Sequence, residues 1–547
     1  MPKRPRRTAR GGQRPRPHPA APAPRPAAAT GAAPTRDPDV PELREARRLW
    51  QTNHFDAALN SFRRAVERHP RNRIALIDAA RAFGARYELA QAEQWLDRLL
   101  EVAGDDPVQL HLVAQSLRMI HRPDRAIPLF ERVVAQTDEI PDALLELALL
   151  YERGHRLGEA AALVDRCLAA APDYREPLLV MARLHRRLGR DDAAEAILRD
   201  LTARPAADPL LPAQAWADLA EMHDRRGEFD QAMAAMARCK AVQLRQDAMV
   251  KRVSDHLIAS FRGLVEQVSR DDFTRWREAM PAGSARPVAL LTGFPRSGTT
   301  LLEQVLDAHP GVVASEELDV FSRDTFPRMW RRPGPGGAAA PAAATVEALS
   351  SLPADQWLGL REQYLSTMAQ VRGEPIAGRL HLDKNPAMTL LIPAFRRLFP
   401  EAAILLALRD PRDVVLSCFL RYLPLNTNSV WYLTLQRTAE RYATDMRAWL
   451  TLREKLPGPW LQVRYEDVVD DLPGQARRCL DTLGLPWDPA VEDYRARLPE
   501  KLVRSPSYEA VARPVFKTAV GRWRNYARYF EPVLPVLEPF VRAFGYA

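Results

Sequence analysis

The chain has 547 residues, of which 46% are hydrophobic, and a formal net charge of +9. This length predicts two or more domains, and no apolar run is long enough to cross a bilayer. Residues 1–38 alone carry a net charge of +8, so the rest of the chain is close to neutral. We therefore expect no nucleic-acid partner for the folded part.

The N-terminal segment, residues 1–38, is rich in Pro, Ala and Arg and has almost no large apolar side chain. We expect it to be disordered, either as a solubilising extension or as a contact for an anionic surface. It lacks the apolar stretch of a secretory signal. The cysteines lie far apart without a CxxC pair, which disfavours both a disulfide framework and a zinc site. A cytoplasmic location is expected.

Residues 39–250 contain a repeated motif, seen at FDAALNSF, LAQAEQWL, PDRAIPLF, LGEAAALV, DDAAEAIL and FDQAMAAM. Its alanines, Ala58, Ala92, Ala126, Ala160, Ala194 and Ala232, are separated by 34 residues four times and then by 38. This period resembles the tetratricopeptide repeat, which implies an α-helical solenoid. The array either binds a protein or peptide partner, or only scaffolds the following domain or joins it into a homodimer.

Residues 251–284 are predicted to form a connecting helix and linker, and residues 285–547 a second domain. Buried strands are expected at Val288–Gly293, in AILLAL before Arg409, and in WLQVR before Tyr465, each followed by a helix. Alternating strands and helices predict an α/β domain with a parallel sheet covered on both faces. Ligands of such sheets bind at the carboxyl ends of the strands.

The first strand enters the turn PRSGTT, which is bounded by Gly293 and Gly298 and followed by an apolar-periodic helix. Free backbone N–H groups and the helix dipole make such a turn an anion site. The GxxxxG spacing is that of a phosphate-binding loop, but Thr299 stands where that motif requires Lys, and the positive charge is at Arg296. A nucleotide is expected here, and a nucleotide kinase is disfavoured.

Four motifs in order, PRSGTTL, RDPRDVVLS, YEDVV and GRWRNY, resemble those of the sulfotransferases that use 3′-phosphoadenosine-5′-phosphosulfate (PAPS). The run PRSGTTLLEQVLDAHPGVVASEE is most similar to tyrosylprotein sulfotransferases. With the repeats in front, the chain resembles bacterial tetratricopeptide-repeat sulfotransferases. The resemblance implies a P-loop-like domain that transfers a sulfuryl group from PAPS to an acceptor hydroxyl of a protein tyrosine, a carbohydrate or a small molecule. No metal is expected.

The resemblance also implies roles for individual residues. The 5′ end of the donor would be held by Arg296, Ser297, Gly298, Thr299 and Thr300, and the 3′-phosphate by Arg409 and Ser417, with Arg421 one helical turn further. Tyr465 would lie by the adenine, and Ser507 and Arg522 would close over the cofactor. Glu317 matches the catalytic base and Lys384 the leaving-group lysine, while Arg296 would also stabilise charge. All of these follow Val288, so the repeats are expected to supply no donor contact.

Several alternatives stay open. Glu316 is the main rival of Glu317, and His309 and His381 are candidate bases because cytosolic small-molecule sulfotransferases use histidine; for His309 a packing role is favoured. Arg412 is expected to be a structural partner of Asp410. Asp319 stands where tyrosylprotein sulfotransferases have an arginine, and their cysteine pairs are absent, which weakens protein tyrosine as the acceptor. A competing hypothesis is a repeat-based interaction protein whose sulfotransferase-like domain is inactive and senses nucleotide.

Overall fold

The computed structural model describes residues 37, 39–52, 54–204, 208–329, 346–376, 378–496 and 519–546. The predicted disordered segment, residues 1–38, lies outside the described residues apart from Asp37. The chain forms two compact units, Met1–Val133 and Val134–Ala547. Among the described helices, none is both long and apolar enough to cross a membrane. The domain boundaries at residues 38, 250 and 284 stay predictions.

Twelve helices follow one another between Pro41 and Leu244 in the described part of the chain. They are α1 (Pro41–Gln51), α2 (Phe55–Arg68), α3 (Arg73–Ala85), α4 (Leu89–Ala103), α5 (Pro107–Met119), α6 (Pro123–Gln136), α7 (Pro141–Arg153), α8 (Leu157–Ala170), α9 (Glu176–Arg187), α10 (Asp191–Ala203), α11 (Leu210–Arg225) and α12 (Phe229–Leu244). The six motif alanines are each the fourth residue of an even-numbered helix, and all are 0% exposed. A small side chain at this position lets two helices approach closely. The predicted helical-repeat array is confirmed.

After α12, the described part of the second unit consists of further helices and five strands. The helices are α13 (Ala248–Gln267), α14 (Arg270–Glu278), α15 (Thr299–Asp307), α16 (Phe326–Met329), α17 (Val346–Ser350), α18 (Ala354–Arg372), α19 (Ile392–Leu398), α20 (Pro411–Phe419), α21 (Leu435–Lys455), α22 (Tyr465–Asp470), α23 (Leu472–Leu483), α24 (Ala527–Phe530) and α25 (Leu534–Ala543). The strands are β1 (Val288–Gly293), β2 (Val312–Glu316), β3 (Leu380–Lys384), β4 (Ala403–Leu408) and β5 (Trp460–Arg464).

The five strands of the described chain form one parallel sheet in the order β2-β3-β1-β4-β5. The predicted α/β domain with a parallel sheet is thereby confirmed, and β1, β4 and β5 coincide with the three predicted strands. The sequence did not predict β2 and β3. Both are short, and β3 places the polar side chains of His381, Asp383 and Lys384 in the protein interior, so it lacks the apolar run of a buried parallel strand.

The sheet brings distant parts of the sequence to one edge. β1 lies between β3 and β4, so Gly293, Lys384 and Leu408 end three adjacent strands. On the outer side of β3, the register pairs Glu316 of β2 with Lys384. The next residue, Glu317, therefore lies beside Lys384 at the carboxyl edge, where ligands of parallel sheets bind.

Candidate functional site at the carboxyl edge of the sheet

The turn between β1 and α15 depends on its two glycines. Gly293 has a φ of +151°, and a Cβ there would lie 2.4 Å from the carbonyl oxygen of Ala407 on β4. Gly298 has a φ of +93°, and its Cβ would lie 2.7 Å from Cδ2 of Tyr465. Neither position accepts a side chain without displacing backbone or an aromatic ring. The turn is thus pressed against β4 on one side and against Tyr465 on the other.

Arg296 lies within this turn in a left-handed conformation, with a φ of +73°. Such a φ is uncommon outside glycine and is typical of functional sites. Its Nε donates to Oγ of Ser417 on α20 at 3.0 Å. Burial, together with the neighbouring cations Arg421 and Arg409, lowers the pKa of Arg296 to about 10. The guanidinium remains charged at neutral pH and joins the turn to RDPRDVVLS, residues 409–417, which we call the α20 motif.

Arg409 follows β4 and is 8% exposed. Its Nη1 donates to the carbonyl of Arg296 at 3.4 Å, and its guanidinium lies 5.0 Å from the centre of the Tyr465 ring. Asp413 is 3.8 Å away. Within the described residues, Nε of Arg409 is buried and has no hydrogen-bond partner. A buried cationic hydrogen-bond donor beside the predicted anion-binding turn fits a phosphate ligand.

The other charged residues of the α20 motif make structural contacts. Arg412 donates to both carboxylate oxygens of Asp410, at 2.9 and 2.7 Å. Asp413 accepts from the backbone N–H groups of Gly521 and Trp523 at 2.7 and 2.8 Å. The α20 motif therefore also holds the segment that contains GRWRNY.

Lys384 is fully buried between two carboxylates. Its Nζ lies 2.9 Å from Oε1 of Glu317 and 3.4 Å from Oε2 of Glu303, which is also 0% exposed. Burial disfavours the charge, but Glu303, Glu317 and Glu316 outweigh it and raise the pKa of Lys384. The ammonium is held in its charged form at the edge of the sheet, between the buried carboxylate of Glu303 and the partly exposed carboxylate of Glu317.

Glu317 is the partly exposed member of this cluster, with 36% of its side chain accessible. Its φ of +45° is left-handed, and its backbone N–H donates to the carbonyl of Lys384 at 2.8 Å. A carboxylate held beside an ammonium and open to solvent can accept a proton from a ligand.

The alternative bases lie in less accessible places. Glu316 is buried at the end of β2, where Oε1 accepts from Nε2 of Gln304 at 3.4 Å. His309 contacts the carbonyl of Pro486 at 3.0 Å through Nε2, and its Nδ1 accepts from the N–H of Gly311 at 2.9 Å. His381 is 0% exposed, and burial lowers its pKa to about 4.

Two of the residues predicted to bind the sulfuryl donor contact α11, the first helix of the last repeat. Arg421 lies 3.7 Å from Oε2 of Glu221, and Arg522 forms an ion pair with Asp224. Ser507 lies outside the described residues. The remaining predicted residues of the turn are buried: Ser297 lies before the helix, and Thr299 and Thr300 begin α15.

Comparison with known proteins identifies both parts of the chain. Residues 287–489 match the sulfotransferase family, and residues 43–107, 114–175 and 153–211 match tetratricopeptide repeats. The chain carries a sulfotransferase-family domain behind tetratricopeptide repeats.

Relatives of the sulfotransferase domain include protein-tyrosine sulfotransferase 1 of Danio rerio, which is 28% identical over 271 residues, covering 48% of this chain and 72% of that protein. An uncharacterised protein of Aquifex aeolicus is 24% identical over 346 residues, or 62% of this chain. The chain spans only 43% of the length of that Aquifex protein. Among solved structures, the sulfotransferase domain of the Synechococcus PCC 7002 olefin synthase is 23% identical, with a TM-score of 0.34, and covers 47% of this chain and 95% of that domain.

Three carboxylates that contact predicted site residues were not predicted from the sequence: Glu303, Glu221 and Asp224. Glu303 is one of several polar residues on an apolar-periodic helix, and nothing in that pattern distinguishes a buried glutamate from an exposed one. Glu221 and Asp224 belong to a repeat whose period predicts helices but not what those helices contact.

Proposed function

We propose that the chain transfers a sulfuryl group from PAPS to an acceptor hydroxyl and releases adenosine 3′,5′-bisphosphate. The observation that carries this proposal is the buried Lys384, paired with Glu317 at the edge of the sheet that also holds the arginines of the PRSGTT turn and the α20 motif. Lys384 supplies a cation, Glu317 beside it supplies a base, and the arginines of the turn and of the α20 motif supply an anion site. These are the parts that sulfuryl transfer requires.

The residues present fit the proposed donor. Arg296, Arg409 and Arg421 form a cationic group, in which Arg421 and Arg409 help to lower the pKa of Arg296. Hydroxyls of Ser297, Thr299, Thr300 and Ser417 add neutral hydrogen-bond donors, and Gly298 provides the left-handed backbone at which the turn enters α15. Arg522 and Ser507 are proposed to complete the enclosure. PAPS would supply an activated sulfuryl group on a phosphate leaving group.

The chain's own residues would act as follows. Glu317 takes the proton of the acceptor hydroxyl, because its carboxylate is the accessible one. Lys384 places its ammonium where negative charge grows on the leaving oxygen, and Arg296 adds a second cation there. When Glu317 binds the acceptor's proton, Glu303 still balances the charge of Lys384, so the cation is never left buried and alone.

The acceptor is proposed to be a hydroxyl of a protein tyrosine, a carbohydrate or a small molecule. A relative named protein-tyrosine sulfotransferase supports the first class, whereas Asp319, which pairs with Arg323 at 3.1 Å, makes the surface next to Glu317 less suited to an acidic peptide. The tetratricopeptide repeats are proposed to bind a protein or peptide partner. The cytoplasmic location stays a prediction.

The test is transfer of label from PAPS carrying radioactive sulfate to an extract of cells that lack the gene. We expect the wild-type protein to label at least one acceptor and Glu317→Gln to label it about 10²- to 10⁴-fold more slowly at the same concentration. Comparing sulfated metabolites of cells with and without the gene then identifies the acceptor. If the wild-type protein binds nucleotide but neither assay detects a sulfated product, the nucleotide-sensing alternative is correct.

A further inference from the structure

Two segments that carry proposed donor residues lie against the same helix pair, α11 and α12. The first segment, residues 420–428, follows α20: Nζ of Lys240 donates to the carbonyl of Arg421 at 2.6 Å, and Nε2 of Gln243 donates to the carbonyl of Leu423 at 2.7 Å. Lys240 is 2% exposed. The backbone around Arg421 is therefore fixed by hydrogen bonds from two buried side chains of the last repeat.

The second segment, residues 519–530, contacts a largely buried carboxylate of that repeat, Asp224. Asp224, near the end of α11, accepts from the hydroxyl of Tyr526 at 2.5 Å through Oδ1 and pairs with Arg522 through Oδ2. The ring of Tyr526 packs edge-on against Phe229 of α12, with 5.1 Å between ring centres. Only 14% of the Asp224 side chain is accessible, so water screens this ion pair little.

Two different aspartates contact the backbone around Arg522 and its side chain. Asp413 of α20 accepts from the N–H groups of Gly521 and Trp523, on either side of Arg522. Asp224 instead contacts the end of the arginine side chain. A free arginine loses rotamer entropy when a ligand fixes its side chain. A carboxylate that fixes it beforehand removes that cost from ligand binding.

We propose that Asp224 of the last tetratricopeptide repeat is a positioning residue of the donor site, which orients Arg522 for the phosphate groups of the donor. Its carboxylate uses one edge of the guanidinium, and the five N–H donors of arginine leave others for an anion. The inference rests on the proposed transfer from PAPS. It assigns part of the donor site to the last repeat, whereas the sequence analysis expected the whole donor site to follow Val288.

The test is calorimetric titration of the full chain with adenosine 3′,5′-bisphosphate. Asp224→Asn keeps the shape of the side chain but removes its charge, and we expect roughly tenfold weaker binding. Asp230→Asn is the matched control on α12, since Asp230 contacts Tyr529 and Arg528 at an exposed position, and it should bind as the wild type does. Tyr526→Phe, which keeps the Asp224–Arg522 pair, should also bind as the wild type does.

A double-mutant cycle separates positioning from a general structural role. In the Arg522→Gln background, Asp224→Asn should cause no further loss of affinity, because the residue that it orients is gone. An additive loss in that background, or unchanged affinity of Asp224→Asn alone, overturns the inference. If the wild-type protein fails to bind the bisphosphate at all, the proposed function itself is wrong. Thermal unfolding of each variant identifies any whose weaker binding comes from unfolding, and for these the Tyr526→Phe and cycle results decide.

Discussion

Glu317 and Lys384 are joined twice: the backbone N–H of Glu317 donates to the carbonyl of Lys384 at 2.8 Å, and the ammonium of Lys384 donates to Oε1 of Glu317 at 2.9 Å. The two residues are 67 positions apart, and the parallel pairing of β2 with β3 brings them together. The positive φ of Glu317 turns its chain away from the strand direction at this point. The backbone thus fixes the distance between the proposed base and the proposed cation.

Glu317→Gln should lower the rate of sulfuryl transfer by about 10²- to 10⁴-fold, the usual effect of losing a general base. Affinity for adenosine 3′,5′-bisphosphate should barely change, because the amide still accepts from Lys384. Steady-state kinetics and calorimetry measure the two effects. Glu316→Gln and His309→Ala are the controls, and a pattern in which either of them is inactive while Glu317→Gln is active means that the base is misassigned.

Lys384→Met should destabilise the fold by about 3–5 kcal/mol, since it leaves the fully buried carboxylate of Glu303 without its cation. Replacing both partners, in Lys384→Met with Glu303→Leu, should restore much of that loss, because an apolar pair carries no desolvation cost. Denaturant unfolding of the two variants measures the difference. Equal stability of the single and double variants would show that Glu303 and Lys384 are not coupled.

Local sequence predicted the parts of this site that a short stretch of chain determines. The PRSGTT turn needs only a strand, two glycines and a helix start, and the 34-residue period gave the repeat helices directly. Strands β2 and β3 were missed because polar side chains such as Asp383 interrupt their apolar character. Asp224 was missed because its contact with Arg522 joins residues 298 positions apart, and no local pattern determines which surface a repeat contacts.

Gly298→Ala should weaken nucleotide binding and stability together. Its Cβ would carry the cost of a left-handed φ, about 1–2 kcal/mol, and would also lie 2.7 Å from the Tyr465 ring. Gly283→Ala is the matched control, since its φ is +72° but a Cβ there meets nothing within 4 Å. Unfolding and calorimetry should show a loss of binding for Gly298→Ala alone, and equal effects of the two substitutions would mean that the contact with Tyr465 does not matter.

Asp383 makes the stability depend on pH. It is fully buried, accepts from the hydroxyl of Tyr364 at 2.5 Å, and burial raises its pKa to about 7. The folded protein therefore binds this proton more tightly than the unfolded chain, so the stability contributed is full below a pH of about 4 and is lost as the pH rises through about 7. Asp383→Asn removes this dependence while keeping an acceptor for Tyr364.

The free energy of unfolding of Asp383→Asn and of the wild-type protein should be compared at a pH below and a pH above this range. Relative to the wild type, the variant should gain stability as the pH rises. The same difference at both pH values would mean that Asp383 does not titrate in this range.

Recognition of a nucleotide 3′-phosphate at this edge of the sheet is measured by calorimetry with adenosine 3′,5′-bisphosphate and with AMP. The wild-type protein should bind the bisphosphate much more tightly than AMP. Arg409→Ala should remove most of that preference, because losing one charge-assisted hydrogen bond costs about 1.5–3 kcal/mol, or roughly 10- to 100-fold in affinity. Equal affinity of the wild-type protein for the two nucleotides would mean that this site does not bind a 3′-phosphate.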